Sequence, residues 1–148
     1  FTLPYQIMDT PDNEIIEESC YQKKKAFWPD KKILVVEDTP SNYYLIENYL
    51  RLTKVQLFWA KSGKEAIDIF KEHGNFDLIL MDIQLPGING YEATKLIKSY
   101  NNKVPVVAQT AYALAGEREY SLQEGCDDYI SKPIKKETLI ELLNKYFQ

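Results

Sequence analysis

Short apolar runs alternate along most of the chain with longer segments in which apolar residues recur every three or four positions. The runs are Ile33-Leu34-Val35-Val36, Val55 to Ala60, Phe76 to Met81, Val104 to Gln109 and Tyr129-Ile130. The first is rich in β-branched residues, Phe76 to Met81 is bounded by turn residues and predicts a strand buried on both faces, and the others read as short strands. The periodic segments predict helices over about 40–52, 63–73, 90–100, 113–124 and 136–146. Thr39 is placed to cap the first helix and Pro40 suits its first turn, with Tyr44, Leu45, Ile46, Tyr49, Leu50 and Leu52 as its apolar face. Ser62-Gly63-Lys64-Glu65 has the spacing of a capping box, and His73-Gly74 ends that helix. Ala93, Leu96 and Ile97 face inward from the third helix, and Leu139, Ile140, Leu142 and Leu143 from the fifth; Gly116 weakens the fourth. Five strands alternating with five helices, without an internal repeat, predict an α/β domain. Its doubly wound parallel sheet has right-handed crossovers and helices on both faces.

Residues 1–30 carry neither period. Asp9 to Glu14 and Glu17-Glu18-Ser19 are polar and acidic, and Lys23-Lys24-Lys25 is a solvated basic cluster. This stretch reads as a linker with one helical turn around Glu14 to Ser19. A chain of 148 residues then leaves one globular domain over 31–148. The formal net charge of −4 points away from nucleic acid as a partner. Cys20 and Cys126 are the only cysteines, too few for a disulfide-stapled domain, and read as thiols in a reducing compartment. No stretch approaches the roughly 20 apolar residues of a membrane span, and the amino terminus lacks the features of a signal peptide. The fragment is therefore expected to be soluble and to stay out of the membrane.

Parallel strands bring their carboxyl ends to one edge, where ligands of such sheets bind. The residues found there are Glu37, Asp38, Asp82, Thr110 and Lys132. Any one strand-end carboxylate could be a loop cap, but three packed together repel, so a proton or a cation must compensate them. Oxygen donors without His or Cys favour Mg²⁺ or Mn²⁺ over zinc. A lysine opposite the carboxylates and a nearby hydroxyl complete a site for a phosphoryl group, with Asp82 as nucleophile. The plainer alternative is that Lys132 only neutralises Asp82 and Asp38. His73, alone near a helix end, reads as a surface residue favourable to the helix dipole.

The segments Val35-Val36-Glu37-Asp38, Leu80 to Gly90, Ala108-Gln109-Thr110-Ala111 and Tyr129-Ile130-Ser131-Lys132-Pro133 resemble the receiver domain of two-component response regulators over roughly residues 31–148. The resemblance implies a flavodoxin-like sheet of order 2-1-3-4-5 with five helices. It implies that Asp82 accepts a phosphoryl group from a phosphohistidine. Asp38, Asp82 and the backbone carbonyl of Gln84 would ligate Mg²⁺, with Glu37 acting through water. Lys132 would contact phosphoryl oxygens, its bond to Pro133 being cis. Thr110 and Tyr129 would form the switch, and slow autodephosphorylation would follow. Leu85 stands where methionine is frequent in the family. Gln84 and Tyr112 occupy variable positions associated with phosphoryl lifetime.

Phe1-Thr2-Leu3-Pro4 resembles the closing strand of a histidine kinase ATP-binding domain. The resemblance implies that residues 1–30 are the tail of a kinase domain plus linker, and that the parent is a hybrid histidine kinase. Implied partners are a kinase dimerisation and phosphotransfer domain and a downstream histidine phosphotransfer protein. The implied location is cytoplasmic, with the parent anchored in a membrane outside this fragment. Three other functions compete with this reading. A receiver-like interaction module would not need the intact acidic, Thr and Lys set. A flavin module would need a phosphate-cradling loop where Glu37-Asp38 stands, and an aspartate phosphatase a second acid near Gln84.

Overall fold

Alternating strand residues face opposite ways, and both faces of the sheet are apolar, so the chain builds two hydrophobic layers around one sheet. The computed structural model describes residues 25–111 and 116–147. The expected linker turn at 14–19, the kinase-like Phe1 to Pro4, Cys20 and Tyr112 lie outside the described residues.

The strands are β1 (Lys32–Val36), β2 (Gln56–Ala60), β3 (Leu78–Asp82), β4 (Val106–Thr110) and β5 (Asp128–Ser131). They pair in parallel in the order β2-β1-β3-β4-β5. The helices are α1 (Pro40–Leu50), α2 (Gly63–His73), α3 (Gly90–Tyr100), α4 (Glu117–Gln123) and α5 (Lys136–Tyr146), and a 3₁₀ turn covers Arg51–Thr53. On one face Leu34, Val36, Ile79, Met81, Val106 and Ala108 pack against α2 and α3 through Ala66, Phe70, Ala93 and Ile97. On the other, Ile33, Val35, Leu78, Leu80 and Val107 meet Ile46 and Leu50 of α1 and Leu139 and Leu143 of α5. Each fully buried aliphatic side chain contributes about 1.5–3 kcal/mol relative to exposure. No helix among the described residues is long and apolar enough to cross a membrane.

Several sequence expectations shift by a residue or a face. The inward stripe of α1 is Tyr43, Ile46 and Leu50, while Tyr44, Leu45 and Leu52 are exposed. Tyr43, Ile46 and Leu50 recur at helical spacing and pack with Ile33, Val35, Leu78 and Leu80, while Trp59 of β2 stacks flat on Tyr43, centroids 4.2 Å apart. Leu96 likewise points outward, because Ala93, Thr94 and Ile97 fill the stripe of α3. Ser62 caps α2 as the capping-box spacing predicts, accepting from the Glu65 amide at 3.1 Å. Thr39 occupies the N-cap position of α1 but makes no side-chain cap bond. The described part of the fourth helix starts at Glu117, after Gly116 at φ +92°. Trp28 belongs to the domain, since its ring packs edge-on to Phe147 and its amide donates to Thr53 O at 2.6 Å. Phe27 is exposed.

Candidate functional site

Parallel pairing carries the ends of β1, β3, β4 and β5 to a single edge. Val36 pairs with Met81, Asp82 with Gln109, and Thr110 with Ser131. Asp82 is the last residue of β3 itself, one position further into the strand than the apolar run predicts. Glu37 follows β1 and is fully buried, whereas Asp38 is exposed. One oxygen from each of Glu37, Asp38 and Asp82 can be chosen so that all three lie within 4.8 Å of one another.

Lys132, just past β5, reaches back across the sheet. Its ammonium lies 3.0 Å from Glu37 Oε2 and 3.1 Å from Asp82 Oδ2. In the plainer alternative Lys132 neutralises Asp82 and Asp38; the structure pairs it with Asp82 and Glu37, because Glu37 is buried and Asp38 is exposed. The Lys132–Pro133 peptide is cis. Glu37 Oε1 accepts the Thr39 amide at 3.1 Å, and Asp82 Oδ1 accepts the Gln84 amide at 3.0 Å. Thr110, nearly buried, donates its hydroxyl to Glu117 Oε1 at 3.3 Å. Tyr129 is half-buried on β5 against the α2–α3 layer.

Among the described residues one cation faces three carboxylates, which leaves the site short of positive charge. Burial pushes the Asp82 carboxyl up, and the Glu37 charge adds to that, outweighing Lys132 and the Gln84 amide; the result is about 6. Burial alone would lower the Lys132 ammonium, but Glu37 and Asp82 more than reverse that and hold it charged. A cluster of oxygen donors with excess negative charge, buried at Glu37 and Asp82 and exposed at Asp38, fits a hard divalent cation. The same edge could then receive a group that brings further oxygen ligands.

Four residues here escaped the sequence reading. Gly90 opens α3 against β3: a Cβ there would lie 2.8 Å from Ile83 Cα and closer still to the Asp82 carbonyl oxygen. Only glycine lets the helix start so near the acid, and its place at the end of a Pro/Gly turn was the one available signal. Trp59 donates its indole N–H to Glu37 O at 2.9 Å, tying β2 to the acidic loop. Gln109 is fully buried, its amide nitrogen donating to Val36 O at 3.4 Å while its Oε1 has no hydrogen-bond partner among the described residues. Beside it a cavity of about 40 Å³ is lined by Asn42, Leu45, Gln109, Lys132, Pro133 and Ile134. Glu117 gave no signal, because nothing in its spacing says that α4 folds back onto Thr110. Cys126 is buried with its thiol raised to about 11 by burial, which leaves it unreactive at neutral pH.

Residues 33–144 match the family profile described as the response regulator receiver domain. The polar-differentiation response regulator DivK of Brucella ovis is 41% identical over 118 residues, covering 78% of this chain and 95% of that protein. Hybrid signal transduction histidine kinase I of Dictyostelium discoideum is 39% identical over 122 residues, covering 77% of this chain and 7% of that protein. The Saccharomyces cerevisiae Ssk1 receiver domain, solved with the histidine phosphotransfer protein Ypd1, superposes with a TM-score of 0.76 at 34% identity, covering 82% of this chain and 91% of that one. The receiver domain of the Pseudomonas aeruginosa sensor histidine kinase PA1611, solved with magnesium in its active-site cleft, gives 0.71 at 39% identity, covering 78% and 96%.

Proposed function

The chain belongs to the response regulator receiver domain family of two-component systems, and from that premise we propose that Asp82 is its phosphoacceptor. The observation that carries the assignment is the convergence of Glu37, Asp38 and Asp82 on one edge, with a single lysine facing two of them. In the reaction, an Asp82 carboxylate oxygen bonds to phosphorus as the P–N bond of a phosphohistidine breaks. The bonding pair goes to the departing imidazole nitrogen, which takes a proton from solvent water. Asp82 must be ionised to attack, and Lys132 at 3.1 Å stabilises that form while also facing the incoming oxygens. The Gln84 amide orients the carboxylate through Oδ1.

Mg²⁺ is the proposed cofactor, with Mn²⁺ compatible with the same oxygen donors; bound, it supplies positive charge that offsets the carboxylates and the transferred phosphoryl oxygens. Asp38, Asp82 and the Gln84 carbonyl are the proposed direct ligands. Glu37 has one oxygen on the Thr39 amide and the other on Lys132, which supports contact through water. Thr110 is proposed to hydrogen-bond the phosphoryl group, with Tyr129 following it as the second switch residue. The phosphodonor is a histidine on a kinase dimerisation and phosphotransfer domain. Similarity to the kinase receivers supports a hybrid histidine kinase as parent, and similarity to the Ssk1 receiver supports a histidine phosphotransfer protein as a further partner.

Incubation with acetyl phosphate and Mg²⁺, followed by intact mass measurement, should add one phosphoryl group to the wild type and none to Asp82→Asn. A wild-type protein that stays unmodified and also fails to bind beryllofluoride overturns the assignment.

A further inference from the structure

We propose that Glu117 is a positioning residue for phosphoryl capture: its carboxylate holds the Thr110 hydroxyl in the unphosphorylated state and must release it before that hydroxyl can serve a phosphoryl group on Asp82. The inference rests on the roles given to Asp82 and Thr110 above.

The geometry joins three elements. Thr110 ends β4, and Glu117 opens α4. The Thr110 hydroxyl donates to Glu117 Oε1 at 3.3 Å, and the Tyr91 hydroxyl, from the first turn of α3, approaches the same oxygen at 3.5 Å. Tyr91 also shares a 3.0 Å hydrogen bond with the fully buried Ser121 of α4, and its ring meets Tyr120 edge-on at 5.2 Å. The first turn of α4 is therefore fastened to β4 by Glu117 and to α3 by Tyr91.

A threonine hydroxyl has one proton to donate. Glu117 and a phosphoryl group are both anionic acceptors, so both offer charge-assisted bonds, and each gains at the other's expense. Gln109, the residue before Thr110, pairs in register with Asp82, so the hydroxyl stands at the phosphoacceptor's neighbouring strand end. Capture of the hydroxyl by a phosphoryl group leaves Glu117 with the longer Tyr91 contact and loosens the start of α4 from β4. By linkage, removing Glu117 favours the state in which Thr110 faces the site. A carboxylate in the first turn of a helix is also favourable through the macrodipole, and that is the structural role from which the proposal must be distinguished.

The test measures beryllofluoride affinity by calorimetry in Mg²⁺ for the 148-residue chain. It compares wild type, Glu117→Ala and Glu117→Gln, each also combined with Thr110→Ala. Loss of a half-buried, charge-assisted acceptor should tighten binding about fivefold in Glu117→Ala, with Glu117→Gln in between because its amide oxygen still accepts without charge. In the Thr110→Ala background the Glu117→Ala change should shift affinity by less than about twofold, the non-additivity expected of groups acting through one bond. Unchanged or weaker binding in Glu117→Ala overturns the proposal, as does an equal gain in both backgrounds, which is the outcome of a purely structural role. Should Glu117→Ala fail to fold by circular dichroism, Glu117→Gln carries the test, and wild-type affinity in that variant overturns it. A wild type that does not bind beryllofluoride defeats the phosphoacceptor reading and this inference with it. Normal wild-type binding with an unresponsive Glu117→Ala defeats this inference alone.

Discussion

Both rims of the sheet carry carboxylates, and they are handled in opposite ways. At the amino-terminal ends of the strands Asp77, Asp127 and Asp128 each have their own partners. Asp77 accepts the Lys32 amide at 2.8 Å, and Asp127 accepts the Val106 amide at 2.8 Å and Lys98 at 2.6 Å. Asp128 accepts Lys145 at 3.0 Å, the Tyr129 amide at 2.9 Å and Tyr146 at 3.3 Å. At the carboxyl-terminal ends Glu37, Asp38 and Asp82 crowd together, with Lys132 divided between two of them. Burial pushes both Asp82 and Asp128 up. At Asp128 the hydrogen bonds and the Lys145 charge prevail and hold the carboxyl below its ordinary value, whereas at Asp82 a like-charged neighbour adds to the rise. A carboxylate that staples the fold and one that is kept ready for chemistry thus differ in how many partners they share, more than in residue type or burial.

The contrast can be tested by removing partners on each rim. Lys132→Ala should reduce the rate of phosphorylation by acetyl phosphate by about 10² or more, as for loss of a preorganised charge at a reacting centre. A rate within threefold of wild type would mean that Lys132 serves only to neutralise. Asp128→Asn should cost about 1–2 kcal/mol in urea unfolding and leave phosphorylation unchanged. The folded carboxyl of Asp128 lies below its unfolded value of about 3.9, so its contribution is fully present above that pH and is lost as pH falls through the folded value. The variant should accordingly lose less stability than wild type on acidification, measured as the difference in denaturant midpoint between neutral pH and pH 3.

Asp82→Asn should move stability the other way. It removes a buried carboxylate that repels the buried Glu37, and in EDTA at neutral pH it should stabilise the fold by about 1 kcal/mol. A lower unfolding temperature than wild type would show instead that Asp82 is a structural acid. The smallest effect belongs to Lys145→Ala. Its ammonium is mostly exposed, so the change should cost no more than about 0.5 kcal/mol and leave phosphoryl capture untouched.

Much of this arrangement is legible in the residues themselves. Strand β1, the cap of α2, the extent of α5 and the strand-end positions of Glu37, Asp38, Asp82, Thr110 and Lys132 all follow from local pattern, because a buried parallel strand must be apolar and must stop where polarity resumes. The apolar face of α1 was misread because Tyr43 and Tyr44 are equivalent by composition. The buried stripe Tyr43, Ile46 and Leu50 is fixed by the side of α1 that meets the sheet, where Trp59 stacks on Tyr43 at 4.2 Å and meets the exposed Tyr44 edge-on at 5.7 Å. The same limit applied at Lys132, whose second partner depends on Glu37 pointing into the sheet while Asp38 points out.

By itself, then, the order of residues determined a five-stranded doubly wound domain and the set of charged groups that meet on one edge, since periodicity and strand polarity are local properties of the chain. Tertiary structure alone decided who holds whom. It seated α3 against the Asp82 carbonyl through Gly90, anchored the Glu37 carbonyl to the Trp59 indole, and brought Glu117 back onto Thr110. Those contacts join segments that no periodicity links. They depend on the angle at which each helix returns to the sheet, which is set by packing across the whole core.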